Sequence, residues 1–344
     1  MDRIAKQIIE RQQQKKATML VTLTNDSENA PRGIGAAMIV DETAGLIGGT
    51  IGGGMLEYEA INEAKQLLQA QRGQFHHYGL TKNASSQLGM VCGGAVDALF
   101  TYIAPDSQDT WDAVLDSMLN HKTGWLVLSL DGLQAGFLCG GVMTGMETPT
   151  ERYEITHVDH AAVIDTRIGP CYVQILKSTS RVFVFGGGHL AQELVPVLDH
   201  LGFRCIVTDD RPEFSTPALF PQAEAVYTRD FTELSGAYDI QPEDYIISVT
   251  RGHAGDYEVE RFALKTPAFY IGCVGSRPKI AYVNGRLKAD GFTDDDLARI
   301  TAPIGLDIGS ETPAEIAISI ASQLIAERAV LNKQRRQAGN HRDK

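Results

Sequence analysis

Apolar positions follow two different rhythms in this chain, and the rhythm changes near residue 181. Before that point, helical and strand periods are mixed. Ile4, Ile8 and Ile9 share one face of a predicted helix over 3–14. Strands are predicted over 19–24 and 35–40, joined by a polar loop that ends in Ala30-Pro31-Arg32. Leu56, Ala60, Ala64, Leu67 and Leu68 recur at helical spacing and predict a helix over 55–71. Further strands are expected near 75–80, 95–103 and 125–130, with a helix over 108–120. No clean repeat is evident in this half, which reads as an α+β domain over 1–140. Residues 141–180 contain Pro149, Pro170 and short extended pieces, and read as a connecting segment.

From Arg181 onward, apolar strands alternate with helices. Strands are expected at 181–185, 205–208, 225–227, 245–249 and 269–273, with a helix over 189–201. Such alternation implies parallel pairing through crossovers, hence a Rossmann-like doubly wound parallel sheet over 181–331. Thr312-Pro313-Ala314-Glu315 combines a capping box with proline at the first helical position, and starts a last helix running to about 330. The basic tail 332–344 is expected to fray. The fold class is therefore α/β, an α+β domain followed by a doubly wound one.

Composition narrows the function. The 344 residues carry a formal net charge of −12. A phosphate backbone or anionic membrane wants a basic footprint, so no nucleic acid and no membrane partner is expected. No run of apolar residues is long enough to span a bilayer, and the first residues do not read as a signal peptide. Cys92, Cys139, Cys171, Cys205 and Cys273 are an odd, scattered set without a C-x-x-C pair, which suits a reducing cytoplasm. Glycine is in excess, 34 residues, against about 7% in an average chain. The glycines are clustered, which points to tight loops.

The most mechanistic cluster is Gly186-Gly187-Gly188-His189-Leu190-Ala191, between a predicted strand and helix. It fits G-x-G-x-x-A, in which glycines let a phosphate approach backbone N–H groups at a helix N-terminus. Asp209 follows at the end of the next strand, where a ribose-binding acid is expected. The same loop would also serve merely to pack helix on sheet. Arg211 could meet a 2′-phosphate or pair with Asp210. Arg251 and His253 lie in one loop after a predicted strand, and Gly275, Ser276, Arg277 and Lys279 in another. Their cations would make a crevice locally positive and suited to one oxyanion, unless they are simply solvated. In the first half, Gly52, Gly53 and Gly54 form a second candidate anion nest or a sharp reversal. Cys92 stands between Met90-Val91 and Gly93-Gly94. An accessible thiol there could ligate metal or carry a persulfide sulfur, and a buried one would only pack.

Together the motifs resemble the XdhC/CoxI family of xanthine dehydrogenase accessory proteins. The resemblance rests on Ala30-Pro31-Arg32-Gly33, Gly49-Thr50-Ile51-Gly52-Gly53-Gly54 with Glu57, and Gly89-Met90-Val91-Cys92-Gly93-Gly94. In the second half it rests on the glycine loop, Asp209-Asp210-Arg211, Gly275-Ser276-Arg277 and the run from Pro303 to Ala317. It implies a cytoplasmic, homodimeric chaperone rather than a turnover enzyme. Such a protein binds molybdenum cofactor (molybdopterin), holds it for sulfuration by a cysteine desulfurase, and delivers it to a molybdenum hydroxylase. In that scheme Cys92 would contact molybdenum across a cleft between domains. Many relatives carry histidine where Arg251 stands, and Pro278 interrupts a basic run. Two other readings stay open: an NAD(P)-dependent oxidoreductase built on the glycine loop and Asp209, and a structural partner of the hydroxylase that binds no cofactor.

Overall fold

A computed structural model describes all residues except 27–32, 80–94, 121, 151, 159, 178–179 and 341–344, and describes side chains as far as 331. The chain divides into two compact units, Met1–Ser178 and Thr179–Lys344. Among the described residues no helix is long and apolar enough to cross a membrane.

Unit 1 begins with α1 (Asp2–Gln13), β1 (Thr18–Asp26), β2 (Ala37–Asp41), β3 (Gly45–Gly49), α2 (Gly54–Gln69), β4 (Gln74–Gly79) and β5 (Ala95–Ile103). It continues with α3 (Gln108–Leu119), β6 (Gly124–Ser129), β7 (Ala135–Cys139), β8 (Val142–Thr144), α4 (Arg152–Thr156), β9 (Ala162–Ile164) and β10 (Cys171–Leu176). The second series repeats the first: helix, three-strand meander, helix, two strands. Both antiparallel sheets have the same order, β3-β2-β1-β5-β4 and β8-β7-β6-β10-β9. The unit is thus a topological duplication, which the sequence pattern did not reveal. Residues 141–180, expected as a connection, instead supply β8, α4, β9 and β10 to the second sheet. Strands of three residues are too short to display alternation, so they read as linker.

The packing explains why both halves are needed. Ile4, Ala5, Ile8 and Ile9 of α1 and Trp111, Val114 and Met118 of α3 share one core. That core takes Leu20, Ile39 and Leu99 from the first sheet and Leu126, Leu128, Phe137 and Tyr172 from the second. The apolar stripes of the two helices are therefore buried between both sheets. The opposite face of the first sheet packs Met19, Val21, Met38 and Val40 on Leu56, Ala60 and Ala64 of α2.

Unit 2 contains β11 (Arg181–Phe185), α5 (His189–His200), β12 (Arg204–Asp209), β13 (Ala225–Thr228), β14 (Tyr245–Ser248), α6 (His253–Ala263), β15 (Tyr270–Cys273), α7 (Arg277–Ala289), α8 (Asp294–Leu297), β16 (Ile300–Thr301) and α9 (Pro313–Asn340). All strand pairs are parallel, in the order β13-β12-β11-β14-β15-β16. This is the order of a dinucleotide-binding sheet, with its switch point between β11 and β14. Val182 and Val184 of β11 face the core formed with α5 and α9, while Phe183 and Phe185 face the core with α6 and α7. Burial on both faces is why these strands read as unbroken apolar runs. The expected fold class is the one found. The last helix continues to Asn340 rather than ending near 330.

Candidate functional site

The glycine loop leaves β11 and opens α5. Gly186 has φ +112°, and a Cβ there would lie 2.5 Å from the Val249 carbonyl oxygen. A Cβ on Gly187 would lie 1.9 Å from the Phe214 carbonyl oxygen, so the turn Pro212–Phe214 rests on the loop. Gly188 differs: nothing lies within 4 Å of its Cβ position, and it caps α5 with no side-chain hydrogen bond. No side chain caps the first backbone donors of α5, and His189 is exposed beside them.

Asp209 ends β12 as expected, but it is fully buried. The Gly187 amide donates to its Oδ2 at 2.7 Å. Arg211 donates from its backbone N and from Nε to Oδ1, at 3.0 and 2.8 Å, and from Nη2 to Oδ2 at 3.0 Å. Burial pushes the carboxyl's pKa up, but the Arg211 side chain and the Gly187 and Arg211 amides together outweigh it and hold the group below its ordinary value. Arg211 also stacks on the Phe214 ring at 3.8 Å.

The other strand-end loops sit at this same edge of the sheet, after β14 and β15. Gly252 caps α6 just before His253, and Ser276 caps α7 just before Arg277, both without a side-chain bond. His253 stacks edge-on with Tyr282. A Cβ on Gly275 would lie 3.2 Å from Ile280 Cγ1, so the loop packs closely on the first turn of α7. The cations are less free than the sequence suggested. Arg251 reaches Asp210 at 3.4 Å, and Lys279 pairs with buried Asp256. Arg277 is exposed.

Behind these loops lies a cluster that sequence reasoning did not single out. Asp256 has no solvent exposure and accepts from Ser248 Oγ at 2.8 Å and Thr250 Oγ1 at 2.7 Å. One turn along α6, Glu260 is also buried beside Cys273. Burial raises the Glu260 pKa from 4.5 to about 7, with Asp256 adding to the rise and the Cys273 thiol and Lys279 opposing it. The signal was present in the four-residue spacing of two acids between two predicted strands, but only the fold makes that segment a helix and turns this face inward.

The raised value carries a stability prediction. Between about pH 4.5 and 7, folded Glu260 holds a proton that the unfolded chain has released, so stability falls as pH rises through that window and levels off above it. The full change is about 3 kcal/mol. Glu260→Gln should remove this part of the slope in urea midpoints measured from pH 4.5 to 8. An unchanged slope would refute the assignment.

In unit 1, the turn from β3 to α2 is braced from within. Glu57 Oε2 accepts from the Ile51 amide at 3.1 Å, the Gly53 amide at 3.2 Å and the Thr50 hydroxyl. Its carboxylate stands where an added anion would sit. Gly52, Gly53 and Gly54 all have positive φ, as the sharp reversal requires. Thr150 and Glu154 form an equivalent hydroxyl–carboxylate bond at the same topological position in the second half. Asp26, Gly49, Gly79 and Ala95 place the strand ends flanking all three family motifs at one end of the first sheet. Near that end, His77 Nδ1 lies 2.5 Å from Asp97 Oδ1. Cys92 lies outside the described residues. Cys171, Cys205 and Cys273 are buried and Cys139 half-buried, all with free thiols.

Comparison with known proteins matches both halves. Residues 182–324 match the XdhC Rossmann domain, and residues 11–79 match the XdhC and CoxI family. The chain belongs to the XdhC/CoxI family. A Bacillus subtilis (strain 168) relative, named as a probable xanthine dehydrogenase subunit, is 23% identical over 323 residues, covering 91% of this chain and 94% of the relative. Uncharacterized protein YqeB of Escherichia coli (strain K12) is 24% identical over 291 residues, 84% of this chain, which spans only 40% of YqeB. Among solved structures, the crystal structure of a xanthine dehydrogenase from Bacillus halodurans is similar with TM-score 0.78 and 25% identity, covering 95% of this chain and 96% of that one. The XdhC/CoxI assignment thus spans both units, and the glycine loop falls inside the matched Rossmann domain.

Proposed function

We propose that this protein serves a xanthine dehydrogenase-type molybdenum hydroxylase by binding molybdenum cofactor, supporting its sulfuration by a cysteine desulfurase, and delivering it. The observation that carries this reading is the open, uncapped amide end of α5 at Gly188, inside a domain of the XdhC type. Molybdopterin carries a phosphate, and a helix N-terminus with free N–H groups suits one. Gly188 and His189 would hold that phosphate, with Ser276 and Arg277 at the start of α7 as further donors at the same sheet edge. The Bacillus subtilis relative, named for xanthine dehydrogenase, matches along 94% of its own length, which supports the client class. Cys92 is the proposed thiol for molybdenum, since a thiolate is a soft ligand. A homodimer is part of this reading.

The test is cofactor retention. Protein purified from cells supplied with molybdate should yield oxidised, fluorescent pterin on denaturation. Cys92→Ser, which replaces a soft ligand with a hydroxyl, should lower molybdenum per mole of pterin. Absence of pterin from wild-type protein would overturn the cofactor reading.

A further inference from the structure

We propose that Arg211 closes the ribose position of the Rossmann unit, so that the glycine loop accepts a phosphate-bearing ligand lacking a ribose diol and rejects NADH and NADPH. The phosphate half of this statement rests on the functional reading above; the exclusion rests on the geometry of Asp209.

In a dinucleotide-binding fold, the acid ending the second strand accepts hydrogen bonds from the ribose hydroxyls. An ionised carboxylate has about four lone-pair directions to offer. Asp209 fills them with four donors: the Gly187 amide, the Arg211 amide, and two nitrogens of the Arg211 guanidinium group. A diol would have to displace a charge-assisted fork, among the stronger polar contacts a protein makes. Nor is Arg211 free to swing aside. Its guanidinium lies 3.8 Å from the centre of the Phe214 ring, and its Nε is 3.7 Å from Asp210 Oδ1. Phe214 in turn belongs to the turn whose carbonyl presses on Gly187. The second acid is engaged as well, by Arg251 at 3.4 Å.

The same pairing answers the 2′-phosphate alternative. A guanidinium that already spends its fork on Asp209, with Asp210 alongside, is a poor receptor for a second anion. Gly188 presents the opposite picture, with open space and uncapped amides. One loop therefore keeps a phosphate position and loses its ribose position.

The test is titration of NADH and NADPH into full-length wild type, Arg211→Ala and Arg211→Met, followed by nicotinamide fluorescence. Methionine keeps an apolar stem over Phe214 and removes every donor. Wild type is expected to show no saturable binding of either nucleotide into the millimolar range. Each folded variant should bind NADH at least about tenfold more tightly, the scale of one recovered hydrogen bond. Saturable NADH binding by wild type would overturn the proposal, and so would folded variants that gain nothing. NADPH binding that wild type shows and the variants lose would mean that Arg211 reads a 2′-phosphate, and would also overturn it. Failure of both variants to fold leaves the wild-type titration to decide. None of these readouts depends on pterin retention, so the two readings fail separately.

Discussion

Asp256→Ala is expected to destabilise unit 2 by about 3–5 kcal/mol, the cost of removing one member of a buried ion pair. The carboxylate is wholly buried, pairs with Lys279 of α7, and accepts from Ser248 at the end of β14 and Thr250 just beyond it. Its loss would strand the Lys279 ammonium, whose remaining partner is the Val274 carbonyl oxygen at 3.1 Å. It would also leave the Ser248 hydroxyl without its acceptor, while the Thr250 hydroxyl keeps the Gly252 carbonyl oxygen at 3.0 Å. The effect is more than local, because these bonds tie together the two strand-end loops that precede α6 and α7. The measurement is urea denaturation followed by far-ultraviolet circular dichroism. Both tryptophans, Trp111 and Trp125, belong to unit 1, so their fluorescence reports that unit alone. Asp256→Asn keeps an acceptor for the hydroxyls but loses the charge, and should fall between wild type and alanine. A loss below about 1 kcal/mol for alanine, within the range of one ordinary hydrogen bond, would show that the pair is not structural.

Unit 2 was the more legible half because its physics is written locally. Strands buried on both faces appear as apolar runs, and G-x-G-x-x-A marks the turn between β11 and α5 whatever the loop binds. Unit 1 hides its order in pairings between distant segments. β1 has nine residues and its counterpart β6 has six, and β8 and β9 have three each. Alternation over three residues carries no signal, so beyond α3 and β6, which the pattern did predict, the second copy of the motif looked like connecting chain. At the site level, sequence placed Asp209 and Arg211 at the correct strand end but could not say that each would consume the other. Arg251 and Lys279 follow the same logic, since the acids that pair with them come from a neighbouring strand end or helix. At Gly52, Gly53 and Gly54 the excess of glycine suggested a nest, while the residue that occupies its amides, Glu57, lies one turn into α2. A glycine-rich loop advertises backbone donors. Which group accepts from them is a tertiary property.

Gly188→Asp should abolish most pterin retention while leaving the fold intact or slightly more stable. Gly188 is the residue capping α5, with φ −69° and ψ −174°, an extended conformation that aspartate adopts readily. Its Cβ position is empty to 4 Å, so the new side chain meets no clash. Aspartate is among the best N-cap residues, and relative to glycine it contributes a few tenths of a kcal/mol. Its carboxylate would accept from the first amides of α5, the same donors proposed for the phosphate, and would repel a second anion. The ligand then loses charge-assisted bonds and meets a like charge, a combined effect of about 10- to 100-fold in affinity. Three substitutions separate the causes. Gly188→Ala adds bulk alone and should retain pterin. Gly188→Asn caps the amides without charge and should retain an intermediate amount. Gly188→Asp adds both and should retain least, with a thermal midpoint at or above that of wild type. Wild-type retention by a folded Gly188→Asp protein would remove the phosphate from the start of α5. Loss of retention in Gly188→Ala equal to that in Gly188→Asp would instead assign the effect to space rather than to the amides.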